Sequence, residues 1–333
     1  MELEIIKNKL WNNGNTAPCF TVLTGVYNRS ETLWKAMKSV ENQTFRDLEY
    51  IIVNDGSTEN IDDVVFDFMY STTIPVLYVT KENGGVHTAR NLGVRLARGG
   101  YLVGIDSDDE LVPEALEIFY RAWQSIPKEK RSEYRGVVGQ CKDQNGKRSG
   151  SKFPEDINER PWREVRKIVA GCKGEHSGCG RMDIRKENPF PEPEKITFVS
   201  ESVLWNDLAK RYKEWYINDI VRIWNTDSVA SLSKQSDKRF SDQQIINSIW
   251  NSEYVINHFN KEDYSIKYLF KNHVKHNCCM IMAKQRGIDM PSSIGMISGT
   301  QLLLGRLLFF PSLLVTWMFT KGTDIGFVKR LLR

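Results

Sequence analysis

Gly99-Gly100-Tyr101-Leu102-Val103-Gly104-Ile105-Asp106-Ser107-Asp108-Asp109-Glu110 is the stretch on which the fold turns. An apolar run, Tyr101 to Ile105, stops abruptly in four acids within five residues. The run is short, β-branched and aromatic, with glycine before it. That is the pattern of a strand buried on both faces. Its acids then sit at the carboxyl end of the strand, where open α/β sheets place their ligands. Clustered carboxylates repel, so a cation or a hydrogen-bond network must offset them. Hard oxygen donors suit Mg²⁺ or Mn²⁺, held by one or two carboxylates together with substrate phosphates. Taken alone, the same acids also read as a solvated turn capping a helix that starts near Pro113. The chain on either side separates the two readings.

Upstream, apolar runs alternate with helical patterns. Phe20 to Val26 reads as a buried strand, and Tyr27-Asn28-Arg29-Ser30 as a loop. Ser30 can cap a helix whose apolar face carries Leu33, Trp34, Met37 and Val40. Tyr50 to Val53 is a second strand, ending in Asn54-Asp55-Gly56-Ser57-Thr58. Ile61 to Met69 is helical, Pro75 to Val79 a third strand, and His87 to Ala97 a helix entered through Asn83-Gly84-Gly85. Strands alternating with helices at this spacing predict a mostly parallel sheet covered by helices. Several strands then end in polar loops on one edge. Asp55 beside Gly56 fits a ribose or base N–H, or an Asx-turn serving only the loop. Asn83-Gly84-Gly85 offers backbone N–H groups at a helix N-terminus, a ready anion site. Arg90 lies one turn further in, either adding charge there or sitting on a solvated helix face. No GxGxxG fingerprint or P-loop is present.

Six pieces in order resemble the nucleotide-sugar-binding half of family-2 glycosyltransferases of the GT-A fold. They are Thr24-Gly25-Val26-Tyr27-Asn28-Arg29, Ser39-Val40-Glu41-Asn42-Gln43-Thr44, Ile51 to Thr58, Asn83-Gly84-Gly85, Ala89-Arg90-Asn91-Leu92-Gly93, and Asp106-Ser107-Asp108-Asp109. Gly25 stands where that family more often has proline, a change of loop stiffness and not of chemistry. The resemblance implies an α/β, Rossmann-like GT-A domain with an inverting, nucleotide-sugar-dependent activity. It implies a donor-binding set of Thr24, Val26, Tyr27, Asn28, Asp55, Gly84, Arg90, Asp106 and Ser107. Asp55 would read the base, and Arg90 would lie near the nucleotide. Asp106 and Asp108 would form the DxD element, with Asp108 the direct ligand of Mn²⁺ or Mg²⁺.

Downstream, 127–161 turns polar. Arg135 to Gln140 reads as a strand, and Cys141 to Lys152, with Asn145-Gly146, as a hairpin or an excursion. In Ile196 to Tyr212, Ser200 is an N-cap, and Val203, Leu204, Leu208 and Tyr212 form an apolar helical face. Glu201 falls in the first turn, where it complements the helix dipole. The segment also resembles the acceptor-side element of the same enzymes, which implies that Glu201 is the catalytic base. Relatives often carry Glu-Asp there, whereas this chain has Glu201-Ser202; Asp207 is a weaker candidate. Asn218 to Trp224 resembles the strand that closes the domain. His176 reads as structural or acceptor-side, with no second histidine at ligand spacing. The expected organisation is a peripheral segment over 1–17, a GT-A domain over 18–225 and a helical C-terminal extension over 226–333. The donor half covers about 18–125 and the acceptor half about 126–225. Ser241 to Phe259 and Glu262 to Arg286 carry helical apolar spacing.

The uncharged run Leu307 to Phe319 is shorter than the roughly 20 residues of a spanning helix and contains Pro311. Lys321, Lys329, Arg330 and Arg333 follow it. An interfacial helix on an anionic cytoplasmic leaflet, through 300–333, is expected; a helix packed on the domain is the alternative.

The chain has 333 residues, is 41% hydrophobic and 26% charged, and has net charge +4, which excludes disorder as the main state. No basic stripe with interleaved aromatics argues for nucleic acid. Six scattered cysteines, with only Cys278-Cys279 adjacent, argue against a zinc site and for a reducing compartment. Met1 to Leu10 lacks the apolar core of a signal peptide, so a cytoplasmic location is expected. The partners implied are a nucleotide-sugar donor, UDP-linked by preference with GDP- or dTDP-linked donors as alternatives, and a saccharide or lipid-linked saccharide acceptor. A nucleotidyltransferase is the rival enzyme, disfavoured because the loop after the first strand lacks glycine. A non-catalytic nucleotide-sugar-binding subunit is the rival outside enzymes.

Overall fold

A computed structural model describes residues 3–11, 16–226, 241–258, 266–295, 297 and 300–320. Among them are nine strands: β1 (Glu4–Lys7), β2 (Phe20–Val26), β3 (Leu48–Asn54), β4 (Val76–Thr80), β5 (Tyr101–Gly104), β6 (Glu110–Leu111), β7 (Tyr134–Asp143), β8 (His176–Arg181) and β9 (Lys213–Trp224). They form one sheet in the order β1-β4-β3-β2-β5-β8-β7-β9-β6. The chain divides into two units, Met1–Pro189 with Arg211–Val229, and Phe190–Lys210 with Ala230–Arg333.

The sheet belongs to the first unit. Its parallel part is β4-β3-β2-β5, joined in register from Phe20 against Leu48 on one side and Tyr101 on the other. β7 and β9 are also parallel, and the remaining pairings are antiparallel. Every residue of β3 is buried, as a parallel strand covered on both faces must be. Even-numbered Val22, Tyr50 and Ile52 pack against Leu33, Met37 and Val40 of α1 (Ser30–Glu41) and Val65 and Phe68 of α2 (Asp62–Ser71). Odd-numbered Leu23, Ile51 and Val53 pack against Ala89 and Leu92 of α3 (Val86–Leu96). Each fully buried side chain of this size contributes about 1.5–3 kcal/mol of transfer free energy. α4 (Ala115–Ser125) starts two residues after Pro113 and buries Leu116, Phe119 and Trp123. β5 is less enclosed than expected: Val103 is buried, Tyr101 and Leu102 are half-buried, and Gly104 is exposed.

Glu49, fully buried on β3, ties the entry to β5 into the sheet. Its Oε1 accepts from Thr21 Oγ1 (2.7 Å) and Arg98 N (2.6 Å), and its Oε2 from Arg98 Nε (2.7 Å). Gly99 N also donates to Glu49. A Cβ at Gly99 would lie 2.5 Å from Thr21 N and 2.6 Å from the Phe20 carbonyl carbon, so no side-chain shift can relieve it. Gly99→Ala is therefore expected to destabilise the protein by about 1–3 kcal/mol. Urea unfolding should show a lower midpoint with an unchanged slope.

Three local expectations are corrected. Arg29, not Ser30, takes the N-cap position of α1; Ser30 is the first helical residue and its hydroxyl donates to Glu59. Trp34 is 41% exposed and meets Phe68 edge-to-face. Tyr212 is not on the Glu201 helix, which ends at Leu208 before the chain turns into β9. The hairpin after β7 does form: Asp143 N donates to Lys147 O, and Gly146 adopts φ 85. α5 (Trp162–Gly171) lies between it and β8, and α6 (Met182–Glu187) follows β8.

The second unit is helical. It holds α7 (Glu201–Leu208), α8 (Asp242–Asn257), α9 (Ile266–Arg286), α10 (Thr300–Leu307) and α11 (Phe309–Thr320). Ser241 and Gln244 cap α8 reciprocally. Ile245 and Ile249 of α8 pack against Cys279, Met282 and Ala283 of α9. Asn247 and Asn251 of α8 accept from Thr197 N (3.0 Å) and Ser200 N (2.8 Å), which fixes where α7 begins. The uncharged run begins at the last residue of α10 and falls otherwise on Leu308 and α11, and Pro311 lies in the first turn of α11, where its missing N–H is tolerated. Among the described residues no helix is long and apolar enough to cross a membrane. Lys321, Lys329, Arg330 and Arg333 lie outside the described residues.

Candidate functional site

Parallel strands β2, β3 and β5 end on one edge of the sheet, and the loops that follow them carry the candidate donor residues. Asn28 sits at φ 50, a left-handed conformation that asparagine tolerates. Its Oδ1 accepts from Thr58 N (2.8 Å) and Glu59 N (3.2 Å), while its own N donates to Ser57 Oγ (3.0 Å). The loops after β2 and β3 are thus locked together. Gly56 adopts φ 68, and a Cβ there would lie 2.6 Å from Asn83 N, so only glycine fits this turn. Val26 is buried and Tyr27 is 45% exposed. Thr24 points into the core, its hydroxyl 2.9 Å from Tyr50 OH.

Asp55 is buried and committed to the protein. Lys81 Nζ and Gly84 N donate to Oδ1 (2.6 and 3.0 Å), and Gly85 N to Oδ2 (2.8 Å). The amides of Gly84 and Gly85 are therefore not free for an outside anion, contrary to expectation: the carboxylate of Asp55 already fills that place. Lys81 also donates to Thr88 Oγ1 (2.9 Å), which ties the cluster to the first turn of α3. Removing the cation would strand a nearly dry carboxylate on two amides. Lys81→Met is expected to destabilise the protein by about 3 kcal/mol, checked by chemical denaturation at pH 7.

After β5 the acids meet arginines from three elements. Arg90 of α3 reaches Asp106 Oδ1 at 3.0 Å, and Arg29 reaches Asp108 Oδ2 at 2.9 Å. Arg222 of β9 lies 3.7 Å from Asp106 Oδ2, 3.4 Å from Asp109 Oδ2 and 3.6 Å from Glu175 Oε2. The guanidiniums supply the offset that clustered carboxylates require. Burial would raise the Asp106 carboxyl, but Arg90, Arg222 and Arg29 outweigh it and hold the group below the usual carboxylate range. Asp109 is the opposite case. Burial pushes it up to about 7 in spite of Arg222. Its Oδ1 accepts from Asn225 N (3.0 Å), so it anchors the end of β9 instead of facing a ligand. Ser107, between Asp106 and Asp108 in the chain, is buried.

These carboxylates fit a divalent cation. Asp108 Oδ1 has no hydrogen-bond partner among the described residues, and Asp106 Oδ2 lies beyond hydrogen-bond distance of Arg222. Two carboxylates two residues apart in one loop suit Mg²⁺ or Mn²⁺, with phosphate oxygens and water as further ligands. Among the described residues no group of three or more His, Cys, Asp or Glu forms a metal cage. His176 stacks on Phe153 with centroids 5.0 Å apart, and burial lowers its pKa.

Glu201 belongs to the second unit. It is exposed in the first turn of α7, and Trp205 Nε1 donates to its Oε2 at 3.3 Å. Ser202 shares a hydrogen bond with Ser200 (2.8 Å). Asp207 accepts from Lys210 Nζ (2.9 Å) and Tyr254 OH (2.5 Å), so its carboxylate is engaged in holding α7 to α8.

Sequence reasoning passed over Arg29, Lys81 and Arg222. Arg222 had a signal: a charge inside the apolar strand Ile220-Val221-Arg222-Ile223, one step out of phase with buried Val221. Lys81 follows β4 as Asp55 follows β3, and only the pairing of those strands makes them neighbours.

Residues 21–186, about half of the chain, match the family model described as glycosyl transferase family 2. Hyaluronan synthase of Pasteurella multocida is 38% identical over 104 residues, 31% of this chain and 11% of that one. An uncharacterized glycosyltransferase of Rickettsia bellii is 30% identical over 57% of this chain and 26% of its own length. The chain thus spans about a quarter or less of these relatives. The GalNAc(5)-diNAcBac-PP-undecaprenol beta-1,3-glucosyltransferase of Campylobacter jejuni is 27% identical over 64% of this chain and 67% of that protein. Among solved structures, S. aureus TarS 1–349 in complex with UDP-GlcNAc aligns with TM-score 0.53 at 15% identity, covering 91% of this chain and 92% of that one. The mannosyltransferase PcManGT of Pyrobaculum calidifontis, in complex with GDP-Man and Mn²⁺, aligns with TM-score 0.52 at 15% identity, covering 93% and 86%. These two show a shared fold. With the ordered motifs and the family match, the chain belongs to glycosyltransferase family 2 and has the GT-A fold.

Proposed function

We propose that this glycosyltransferase moves a sugar from a nucleoside-diphosphate sugar, UDP-linked by preference, to a hydroxyl of a lipid-linked saccharide, with inversion. The observation that carries it is the acid loop after β5, with Asp106 and Asp108 each keeping one oxygen clear of its arginine hydrogen bond. That the TarS neighbour is in complex with UDP-GlcNAc supports a uridine donor. The PP-undecaprenol in the name of the Campylobacter relative supports a lipid-linked acceptor and a role in surface polysaccharide assembly.

In this reading Asp108, with Asp106, would hold Mn²⁺ or Mg²⁺. When bound, that ion neutralises charge on the departing nucleoside diphosphate. Arg90 and Arg222 fix Asp106, and Arg29 fixes Asp108, so the loop is preorganised and little is spent on ordering it at the moment of reaction. Glu201 takes the proton from the acceptor hydroxyl as its oxygen attacks the anomeric carbon. Glu201 is exposed and Asp207 is already bonded twice, which supports Glu201 as the base. The test is nucleoside diphosphate release from UDP-, GDP- and dTDP-sugars with Mn²⁺, with the anomeric configuration of the product read by NMR. Release from one donor class with inversion is expected; retention of configuration would contradict the mechanism.

The second unit supports attachment to the cytoplasmic face of a membrane. α11 buries two of its polar residues: Ser312 and Thr316 are 0% and 1% exposed, and Cys278 Sγ donates to Ser312 O. Of its described apolar residues, Phe309, Leu313 and Leu314 are 44%, 43% and 55% exposed, as is Leu307 of α10 at 68%. A helix that buries its hydroxyls and exposes its leucines suits an apolar environment. Leu313→Ser with Leu314→Ser is expected to weaken sedimentation with phosphatidylglycerol vesicles at least about tenfold, since each leucine buried contributes about 1.5–3 kcal/mol. Unchanged sedimentation would sink the proposal.

A further inference from the structure

Two glycines pinch the hairpin after β7 against the segment that leads into β8. Gly150 adopts φ 76, and a Cβ there would collide with Lys173 O; Gly174 adopts φ 128, and a Cβ there would lie 2.6 Å from Ser149 O. Conformation and close backbone contact each exclude a side chain at both positions. The pinch fixes Glu175. Its N donates to Ser149 Oγ (2.9 Å), and Ser149 N donates to Cys141 O (2.9 Å). Cys141 of β7 is the register partner of Arg222 on β9. The backbone of Glu175 is thereby tied to the sheet beside Arg222, while its side chain stays 46% exposed. A half-exposed ion pair contributes little to stability, so folding alone does not explain two glycines committed to placing it.

Arg222 is suspended among carboxylates. Glu175 Oε2, Asp109 Oδ2 and Asp106 Oδ2 lie 3.6, 3.4 and 3.7 Å from its guanidinium nitrogens, and its Nε makes no hydrogen bond among the described residues. A guanidinium drawn by one carboxylate closes to about 2.7–2.9 Å, whereas one shared by three stops short of each. Glu175 pulls on Nη2 and Asp106 on Nη1, so the two compete for one charge. Without the Glu175 charge, Arg222 would settle onto Asp106 Oδ2, an oxygen proposed for the cation. We infer that Glu175 is a positioning residue: acting through Arg222, it keeps Asp106 Oδ2 open to a divalent cation. In this role it touches neither the cation nor the substrate. The inference rests on the metal-holding role proposed for Asp106 and Asp108, and it adds the residue that keeps that role available.

The test is the Mn²⁺ affinity of the full chain, read without nucleotide from the paramagnetic resonance signal of free Mn²⁺. Glu175→Gln is expected to lower that affinity about tenfold or more, the scale of one charge-assisted hydrogen bond that the ion must then displace. Glu175→Asp keeps the charge but draws the carboxylate back by one methylene, on a backbone that cannot follow. It is expected to lower the affinity at least about threefold. The urea unfolding midpoints of both variants are expected to match the parent. Full Mn²⁺ affinity in Glu175→Gln would overturn the inference. Loss in Glu175→Gln with full affinity in Glu175→Asp would also overturn it, by leaving charge at a distance as the cause. So would a loss that comes only with a lowered unfolding midpoint, which makes Glu175 a structural residue. Absence of Mn²⁺ binding by the parent would overturn the metal role of Asp106 and Asp108 and this inference with it; parent binding that both variants retain overturns this inference alone.

Discussion

Glu201→Gln is expected to lower turnover by about 100- to 10,000-fold while leaving nucleotide affinity within about twofold of the parent. The glutamine keeps the length and hydrogen-bonding shape of the side chain, so its carbonyl can still accept from Trp205 Nε1, as Glu201 does at 3.3 Å. What it loses is the capacity to take a proton. The magnitude separates this role from the structural one. If Glu201 only complements the dipole of α7, the change is worth about 0.3–1 kcal/mol of stability and nothing in chemistry. A loss of about 100-fold or more corresponds to about 2.7 kcal/mol or more of barrier, too large for that cause. Asp207→Asn is the control. Asp207 is held below the usual carboxylate range because Tyr254 and Lys210 outweigh its burial. Neutralising it should loosen α7 from α8 and change turnover far less. The reverse order of effects would move the base to Asp207.

If Asp108 holds the proposed charge-neutralising ion, Asp108→Ala is expected to reduce kcat/KM by on the order of 1,000-fold or more, because a ligand to such an ion contributes several kcal/mol in the transition state. Asp108 also holds Arg29 at 2.9 Å. Asp108→Asn separates the two. Asparagine keeps an acceptor for the Arg29 guanidinium but is a poor ligand for a hard cation. If Asp108 works by binding metal, both variants lose activity alike and excess Mn²⁺ rescues neither. If it works by anchoring Arg29, Asp108→Asn stays within about tenfold of the parent.

The parallel part of the sheet was legible in the sequence because β2, β3 and β4 are buried on both faces. Such strands must read as continuous apolar runs, as Tyr50 to Val53 do, and each ends in a loop whose glycines and acids stand out. The elements that escaped have no such signature. β8 reads His-Ser-Gly-Cys-Gly-Arg, with only Ser177 and Cys179 buried, and it is a strand because β5 and β7 pair with it on either side. β1 lies in a segment expected to be peripheral, and antiparallel pairing with β4 makes it the sheet edge. The acids after β5 were visible as a motif, but their counter-charges were not. Arg29, Arg90 and Arg222 lie far apart along the chain and meet only through the topology. The same holds for Asp55, whose partners Lys81, Gly84 and Gly85 turn an expected anion site into an internal ion pair.

The measurement that bears most directly on a metal-assisted nucleotide-sugar site is calorimetric titration of the full chain with UDP, GDP and dTDP, each with and without Mn²⁺. The parent and Asp108→Ala are compared in the same buffers. One nucleotide should bind in the parent, at least about tenfold tighter with Mn²⁺ than without, and Asp108→Ala should lose the Mn²⁺-dependent part while keeping its fold. Nucleotide binding that is indifferent to both Mn²⁺ and Asp108, or no binding of any of the three, would contradict it.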